Sequence, residues 1–408
     1  MTQPTVSVVI VSRQRPLDLT LCLSAVARLS YPTFEVIVVA DPAGLKAVEA
    51  LPFAAMIKTV PFDEANVSAA RNRGVAQAAG EIVAFVDDDA QPETRWLEHL
   101  TAAFVDSAVA AAGGYVVGRN GISIQWRGRI IDHRAEETDI PLEGNATTIL
   151  TPPTGTAVKT EGTNMAILRD VLALMGGFDP AFRFYLDETD INMRLANMGV
   201  STAIVPLAQV HHGYAASANR RKDRAVRDLR QIAASLVVFL RKHCPESSHA
   251  PLLTAAYEKQ RTRMLSQLVK GLQEPRDIRR LVQSWRDGIS DGAARTLTRP
   301  LPLPDTQSGF LPFQTLSRGG TKIIQGYLSN ATKLRDQAAR AAAEGQDVSL
   351  FLFSRTTLYH RVRFHADGYW EQTGGLWGKS DRSDSLFRAW RLANRVKHEV
   401  ERIGFSRF

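Results

Sequence analysis

The chain has 408 residues, too many for one typical core, so two domains or one large domain with an extension is expected. Its 44% hydrophobic and 23% charged residues exclude a disordered or fibrous protein. A net charge of +8 suits nucleotide, phosphate, nucleic-acid or anionic membrane partners, and the two distant cysteines, Cys22 and Cys244, exclude a disulfide framework and a CxxC zinc site.

Met1 to Pro4 runs straight into a strand, without a basic region and cleavage site, so no signal peptide is expected. No window approaches the roughly 20 continuous apolar residues of a membrane-spanning helix. Ser235 to Leu240 comes nearest and is far too short. A cytoplasmic protein, with peripheral contact at the inner membrane face left open, is the expectation.

Val6 to Val11 is a β-branched run, the pattern of a strand buried on both faces. Ser12-Arg13-Gln14-Arg15-Pro16 turns the chain, and the proline is placed to open a helix over 17–29. Phe34 to Val39 is a second strand, stopped by Asp41-Pro42-Ala43-Gly44, and Ile57 to Pro61 a weaker third. Asn66 to Ala79 reads as a helix with Asn66 or Ser68 near its start and Gly80 past its end. Ile82 to Val86 is a fourth strand that runs into Asp87-Asp88-Asp89. Strands and helices alternating over short connections predict an α/β fold with a mostly parallel sheet covered on both sides. Neither GxGxxG nor GxxxxGK[ST] follows the first strand, which disfavours dinucleotide and P-loop readings.

The three adjacent acids are the most informative feature. Like charges side by side repel unless something positive lies among them. Strand ends in such sheets are where ligands bind, and hard divalent cations prefer carboxylate oxygens shared with substrate phosphates. Beyond Trp96 the pattern loosens, with Gly113-Gly114 and a polar stretch over 135–151 that reads as a loop. Three short motifs then cluster: Gly162-Thr163-Asn164, Gly176-Gly177-Phe178-Asp179 and Asp187-Glu188-Thr189-Asp190. A helix over 191–198 and a strand over 202–205 lead to Val210-His211-His212.

Taken in order, these motifs resemble glycosyltransferase family 2, the inverting nucleotide-sugar enzymes with a GT-A fold. The resemblance rests on Val8 to Pro16, Ala69-Ala70-Arg71-Asn72-Arg73-Gly74, Phe85 to Asp89, Gly176 to Asp179, Asp187 to Asp190 and Val210-His211, and covers residues 5–220. It implies a GT-A domain over 1–220, a Rossmann-like sheet flanked by helices, and leaves a mainly helical extension over 221–408. It implies transfer of a sugar from a nucleoside-diphosphate sugar to a hydroxyl of a glycan, polysaccharide or lipid-linked acceptor. It also implies a divalent metal, Mg²⁺ or Mn²⁺, held by Asp89 with Asp87 and His211. Asp87 and Asp88 would contact the ribose or the metal's water shell. Glu188, where the family mostly has aspartate, would be the general base, with Asp187 as the alternative. One of the pair would cap the helix. Ser12, Arg15, Asp41 and Arg71 would line the donor cleft; Asp41 stands one residue later than the family's base-contacting aspartate, and an ion pair is the other reading of Arg71.

Two other functions remain open from sequence. A sugar-phosphate nucleotidyltransferase shares the sheet and the acids, but Ser12 to Pro16 lacks its glycine-rich loop. A non-catalytic sugar or nucleic-acid binding protein would use the basic stretch Arg220, Arg221, Lys222, Arg224, Arg227 and Arg230. That stretch lacks the interleaved aromatics of single-strand binders, so nucleic acid is not the expected partner. The same residues would hold an anionic membrane surface or grip an anionic acceptor.

Overall fold

A computed structural model describes residues 3–215, 220–221, 223–297, 300–306 and 308–408. Its first half follows the alternation of the sequence. Strand β1 (Val6–Ser12), helix α1 (Pro16–Val26), β2 (Phe34–Ala40), α2 (Pro42–Glu49), β3 (Ile57–Pro61), α3 (Val67–Val75) and β4 (Ile82–Phe85) build a parallel sheet in the order β3-β2-β1-β4. Every residue of β2 and β4 is buried and β1 is nearly so, which is why these strands read as unbroken apolar runs. The helices start where their caps dictate: Asn66 accepts the backbone N–H of Ala69 at 3.0 Å, and Pro16 and Pro42 open α1 and α2.

The chain continues through β5 (Ala90–Pro92), α4 (Trp96–Ala102), β6 (Val109–Val117), β7 (Ile124–Trp126), β8 (Arg129–Asp132), β9 (Glu137–Asp139), β10 (Thr148–Leu150), β11 (Thr156–Lys159), β12 (Met165–Leu168), α5 (Arg169–Leu174), α6 (Asp187–Asn197) and β13 (Ser201–His212). Strands β8, β9 and β11 form a separate small sheet in the order β11-β8-β9, and the other strands extend the large one. Beyond β4 the order is β12-β6-β13-β10, with β12 antiparallel to both neighbours and β13 parallel to β6. The stretch around Gly113-Gly114 is therefore a nine-residue, wholly buried strand, β6. Glycine is required there because a Cβ on Gly114 would lie 1.8 Å from the carbonyl oxygen of Ala208, where β13 bulges inward. Asn164 ties the region together: its amide oxygen accepts from Trp96 Nε1 at 2.8 Å and its nitrogen donates to the carbonyls of Tyr115 and Ala208. The polar stretch over 135–151, expected as a loop, contains β9 and β10, the latter pairing with β13.

The rest is mainly helical and carries a small sheet. Helices α7 (Arg230–His243), α8 (His249–Val269) and α9 (Pro275–Ala294) come first. Among the described residues this helical region begins at Arg230. Residues 308–316 then run along the first half of the chain, with Phe313 N–H donating to the carbonyl of Phe34. Strand β14 (Thr321–Tyr327), helix α10 (Ala331–Ala343), β15 (Asp347–Ser354), β16 (Arg361–His365), β17 (Tyr369–Gly375) and helix α11 (Leu392–Arg407) complete the chain, with sheet order β14-β15-β17-β16. No helix among the described residues is long and apolar enough to cross a membrane.

This four-stranded sheet and helix α11 are fastened to the first half of the chain by a buried ion pair. Arg407 donates to both carboxylate oxygens of Glu93, at 2.7 and 2.6 Å, and its guanidinium lies 4.3 Å over the Trp370 ring. Glu93 is buried, yet the Arg407 charge, with a hydrogen bond from His211, outweighs that burial and holds its carboxyl down at about 2. Arg407→Ala would strand a buried carboxylate, which typically costs about 3–5 kcal/mol. Urea unfolding should register that loss, and an unchanged midpoint would rule the fastening out.

Candidate active site

The acids follow β4 at the point where strand order reverses between β1 and β4, the place where open α/β sheets bind ligands. A cleft of about 890 Å³ opens there, lined among others by Ser12, Arg15, Arg71, Asp87, Glu161, Asp187, Glu188 and His212.

One wall carries a cluster of potential ligands. Asp87, Asp89 and His212 each present one ligand atom, all within 4.8 Å of one another. His212 Nε2 lies 3.2 Å from Asp89, and the backbone N–H of Ala215 donates to the other Asp89 oxygen at 2.8 Å. Asp89 is buried, but these hydrogen bonds, with the nearby His212 and Arg15 charges, hold its carboxyl well below the usual range. Two carboxylates and an imidazole form a donor set that suits Mg²⁺ or Mn²⁺.

His211, expected as the ligand, is not part of this cluster. Its Nε2 lies 2.7 Å from Glu93 and its ring packs 4.5 Å from Trp370, on the side where the four-stranded C-terminal sheet docks. Adjacent residues of a strand face opposite ways, so only one of the two histidines can reach the acids. His212→Ala should therefore weaken Mn²⁺ binding, whereas His211→Ala should leave it intact and lower thermal stability. A titration in which His211→Ala alone loses the ion would reverse the assignment.

Asp88 also departs from expectation. It is wholly buried and ion-paired with Arg15 at 2.5 Å, away from the cleft lining. Burial, only partly offset by Arg15, pushes its carboxyl up to about 8. Arg15 lies 3.4 Å from Asp89 as well, so one cation serves two crowded acids. Asp41, expected at the nucleobase, is instead a helix cap. Its two oxygens accept the backbone N–H groups of Gly44 and Gln14, at 3.0 and 3.1 Å, and it does not line the cleft.

Arg71 joins the two acidic walls. From α3 its buried guanidinium donates to Asp87 and to the carbonyl of Gly162, each at 3.1 Å, and to Asp187. A Cβ on Gly162 would lie 2.5 Å from the guanidinium, so a side chain there would displace Arg71 from this arrangement. Asp187 is thus committed to Arg71 and does not cap α6; the residue before the helix is Leu186, in a left-handed conformation with φ of 63°. Asp190 ties α6 to α7 through Lys242 and His243, at 2.7 and 2.9 Å.

Glu188 differs from its neighbours. It is half-buried, lines the cleft, and forms no ion pair among the described residues. Burial, reinforced by the Asp187 carboxylate, pushes its pKa up to about 7, which suits an acid–base group. Beside it lie residues the motifs did not signal. Lys159 bonds Glu137 and Glu161, both at 2.9 Å, and burial raises the Glu161 carboxyl despite that contact. They come from the irregular middle of the chain and carry no local motif; only folding brings them to Glu188.

Of the basic stretch, Arg220 and Arg224 stack on Tyr214, with guanidinium carbons 5.3 and 4.7 Å from its ring centre. Arg221 pairs with Asp223 at 2.8 Å, Arg227 and Arg230 line the cleft, and Lys222 lies outside the described residues.

The sequence profile of Glycosyl transferase family 2 matches residues 7–173. Glycosyltransferase AglE of Haloferax volcanii is 35% identical over 123 residues, 28% of this chain and 40% of that protein. The pre-mycofactocin glycosyltransferase of Mycobacterium tuberculosis is 28% identical over 149 residues, 36% of this chain and 30% of that protein. The chain thus spans less than half the length of either relative. A Pyrobaculum calidifontis mannosyltransferase, solved with GDP-Man and Mn²⁺, superposes with a TM-score of 0.45 at 18% identity, over 72% of this chain and 88% of that one. At that TM-score the likeness bears no weight. The profile match and the named relatives agree with the motif order: residues 7–173 are similar to glycosyltransferase family 2.

Proposed function

We propose that this protein transfers a glycosyl group from a nucleoside-diphosphate sugar to an acceptor hydroxyl, with inversion at the anomeric carbon. One observation carries the reading: the cluster of Asp87, Asp89 and His212 opens into the same cleft as Glu188, a carboxyl with a pKa near neutrality. Asp87, Asp89 and His212 would hold a divalent cation, Mg²⁺ or Mn²⁺, which when bound neutralises charge developing on a leaving diphosphate.

The chain's own residues divide the remaining work. Ser12 and Arg15, where β1 ends, contact the donor, and Arg15 adds positive charge beside Asp89. Arg71 is a positioning residue that holds Asp87 and Asp187 in one arrangement. Glu188 removes the acceptor's proton as the new bond forms, from the face opposite the leaving diphosphate. Lys159 keeps positive charge close to Glu161 and Glu188 and so limits how far their pKa values rise. The acceptor is a glycan or lipid-linked sugar, and a GT-A domain over 1–220 supplies the cation-holding residues and Glu188, while Arg227 and Arg230 from beyond it complete the cleft lining.

A thermal-shift screen of nucleoside-diphosphate sugars with Mn²⁺ tests this reading, because a bound donor stabilises only the folded state. One donor should raise the melting temperature with Mn²⁺ and lose its effect in EDTA. A screen without any such donor, or a shift indifferent to EDTA, would count against it.

A further inference from the structure

The cleft that holds Glu188 is also lined by Arg183, Tyr185, Arg227 and Arg230, which the transfer chemistry leaves unused. All four are exposed. Arg183 and Arg227 take part in no ion pair among the described residues, and Arg230 reaches Asp291 only at 3.7 Å. Glu64 and Asp228 line the same cleft, and Asp291 lies beside Arg230. Asp291 already binds Arg295 at 2.8 Å, and Asp228 accepts the backbone N–H of Arg230 at 2.6 Å. Positive charge is therefore in surplus, and the N-terminal end of the 14-residue helix α7 adds to it.

The backbone beside Glu188 is also unusual. Tyr185 and Leu186 both lie in the left-handed region, with φ of 74° and 63°, and neither is glycine. This turn leaves Tyr185 44% exposed and lining the cleft, three residues before Glu188. Ser235 Oγ donates to the carbonyl of Phe184 at 2.8 Å, which fixes α7 and its arginines relative to the turn.

Arginine forks match the oxygens of phosphate and carboxylate groups, and an exposed aromatic ring offers an apolar surface to a sugar. We propose that the acceptor presented to Glu188 is an anionic carbohydrate, its phosphate or carboxylate held by Arg183, Arg227 and Arg230 and its ring placed against Tyr185. The assignment deepens the glycosyl-transfer reading and rests on it. It also selects acceptor grip over membrane contact for the part of the basic stretch that lines the cleft.

The test is binding of glucose 6-phosphate, glucuronate and glucose to the full chain, measured by calorimetry in EDTA. At least one anion should bind while glucose does not, and the stronger of the two identifies the group as phosphate or carboxylate. Arg227→Ala combined with Arg230→Ala, and separately Arg183→Ala, should weaken that binding by about tenfold or more, as expected for lost charge-assisted contacts. Metal-dependent hydrolysis of the donor should survive in these variants, which also shows that they are folded. Equal binding of glucose, binding of neither anion, or undiminished binding in the variants would overturn the proposal. Absence of donor hydrolysis in the wild type would instead sink the transfer reading, and the anion measurements would still decide this one.

Discussion

Asp89→Ala is expected to lower turnover of the sugar donor by about 10³-fold, since a bound cation contributes several kcal/mol of charge stabilisation. The fold should persist. Asp87, Asp88 and Asp89 crowd together, and Arg15 retains its 2.5 Å contact with Asp88 after Asp89 is removed. Asp89→Asn isolates the charge, because its amide oxygen can still accept the Ala215 N–H that Asp89 now receives at 2.8 Å. Mn²⁺ titration should show weakened binding in both variants. Full turnover in Asp89→Ala, or wild-type turnover in EDTA, would end the metal assignment.

The second large effect is expected at Glu188. Glu188→Gln keeps the shape of the side chain and cannot accept a proton, so transfer should fall by about 10²–10⁴-fold. Donor affinity should be retained. In the wild type, the rate should rise with pH through the region of about 7, where Glu188 loses its proton. The sign follows from the chemistry: only the carboxylate acts as a base, and burial beside Asp187 keeps it protonated to higher pH than an exposed glutamate. The rising limb should vanish in Glu188→Gln. Normal transfer by Glu188→Gln together with loss in Asp187→Asn would exchange the two roles, although the Arg71 contact argues that Asp187 is held for structure.

Much of this arrangement was legible in the sequence, for identifiable reasons. Strands β1, β2 and β4 are buried on both faces, so their valine and isoleucine runs declare themselves locally. Strand β6 does not, because it is built largely of alanine and glycine and owes its form to the neighbours that crowd Gly114. The acidic run was visible, but three identical residues in a row give no sign that Asp88 is buried under Arg15. The choice between His211 and His212 is hidden for a similar reason. Strand alternation separates His211 from His212, yet β13 shifts register between Val205 and Gln209, so counting along the strand does not reveal which one faces the acids. Asp41 misled because an aspartate after a strand and before Pro42 fits a helix cap as well as a nucleotide contact. Glu93 and Arg407 stand 314 positions apart, and no local pattern predicts their pairing.

The most direct measurement follows donor and product by proton NMR, using whichever nucleoside-diphosphate sugar passes the stability screen. With diamagnetic Mg²⁺ and an acceptor present, nucleoside diphosphate should accumulate as the anomeric signal of the donor gives way to one of opposite configuration. EDTA should stop both changes, and Asp89→Ala should show neither. A product that keeps the donor's configuration, or release that proceeds unchanged in EDTA, would contradict metal-assisted inverting transfer in this cleft.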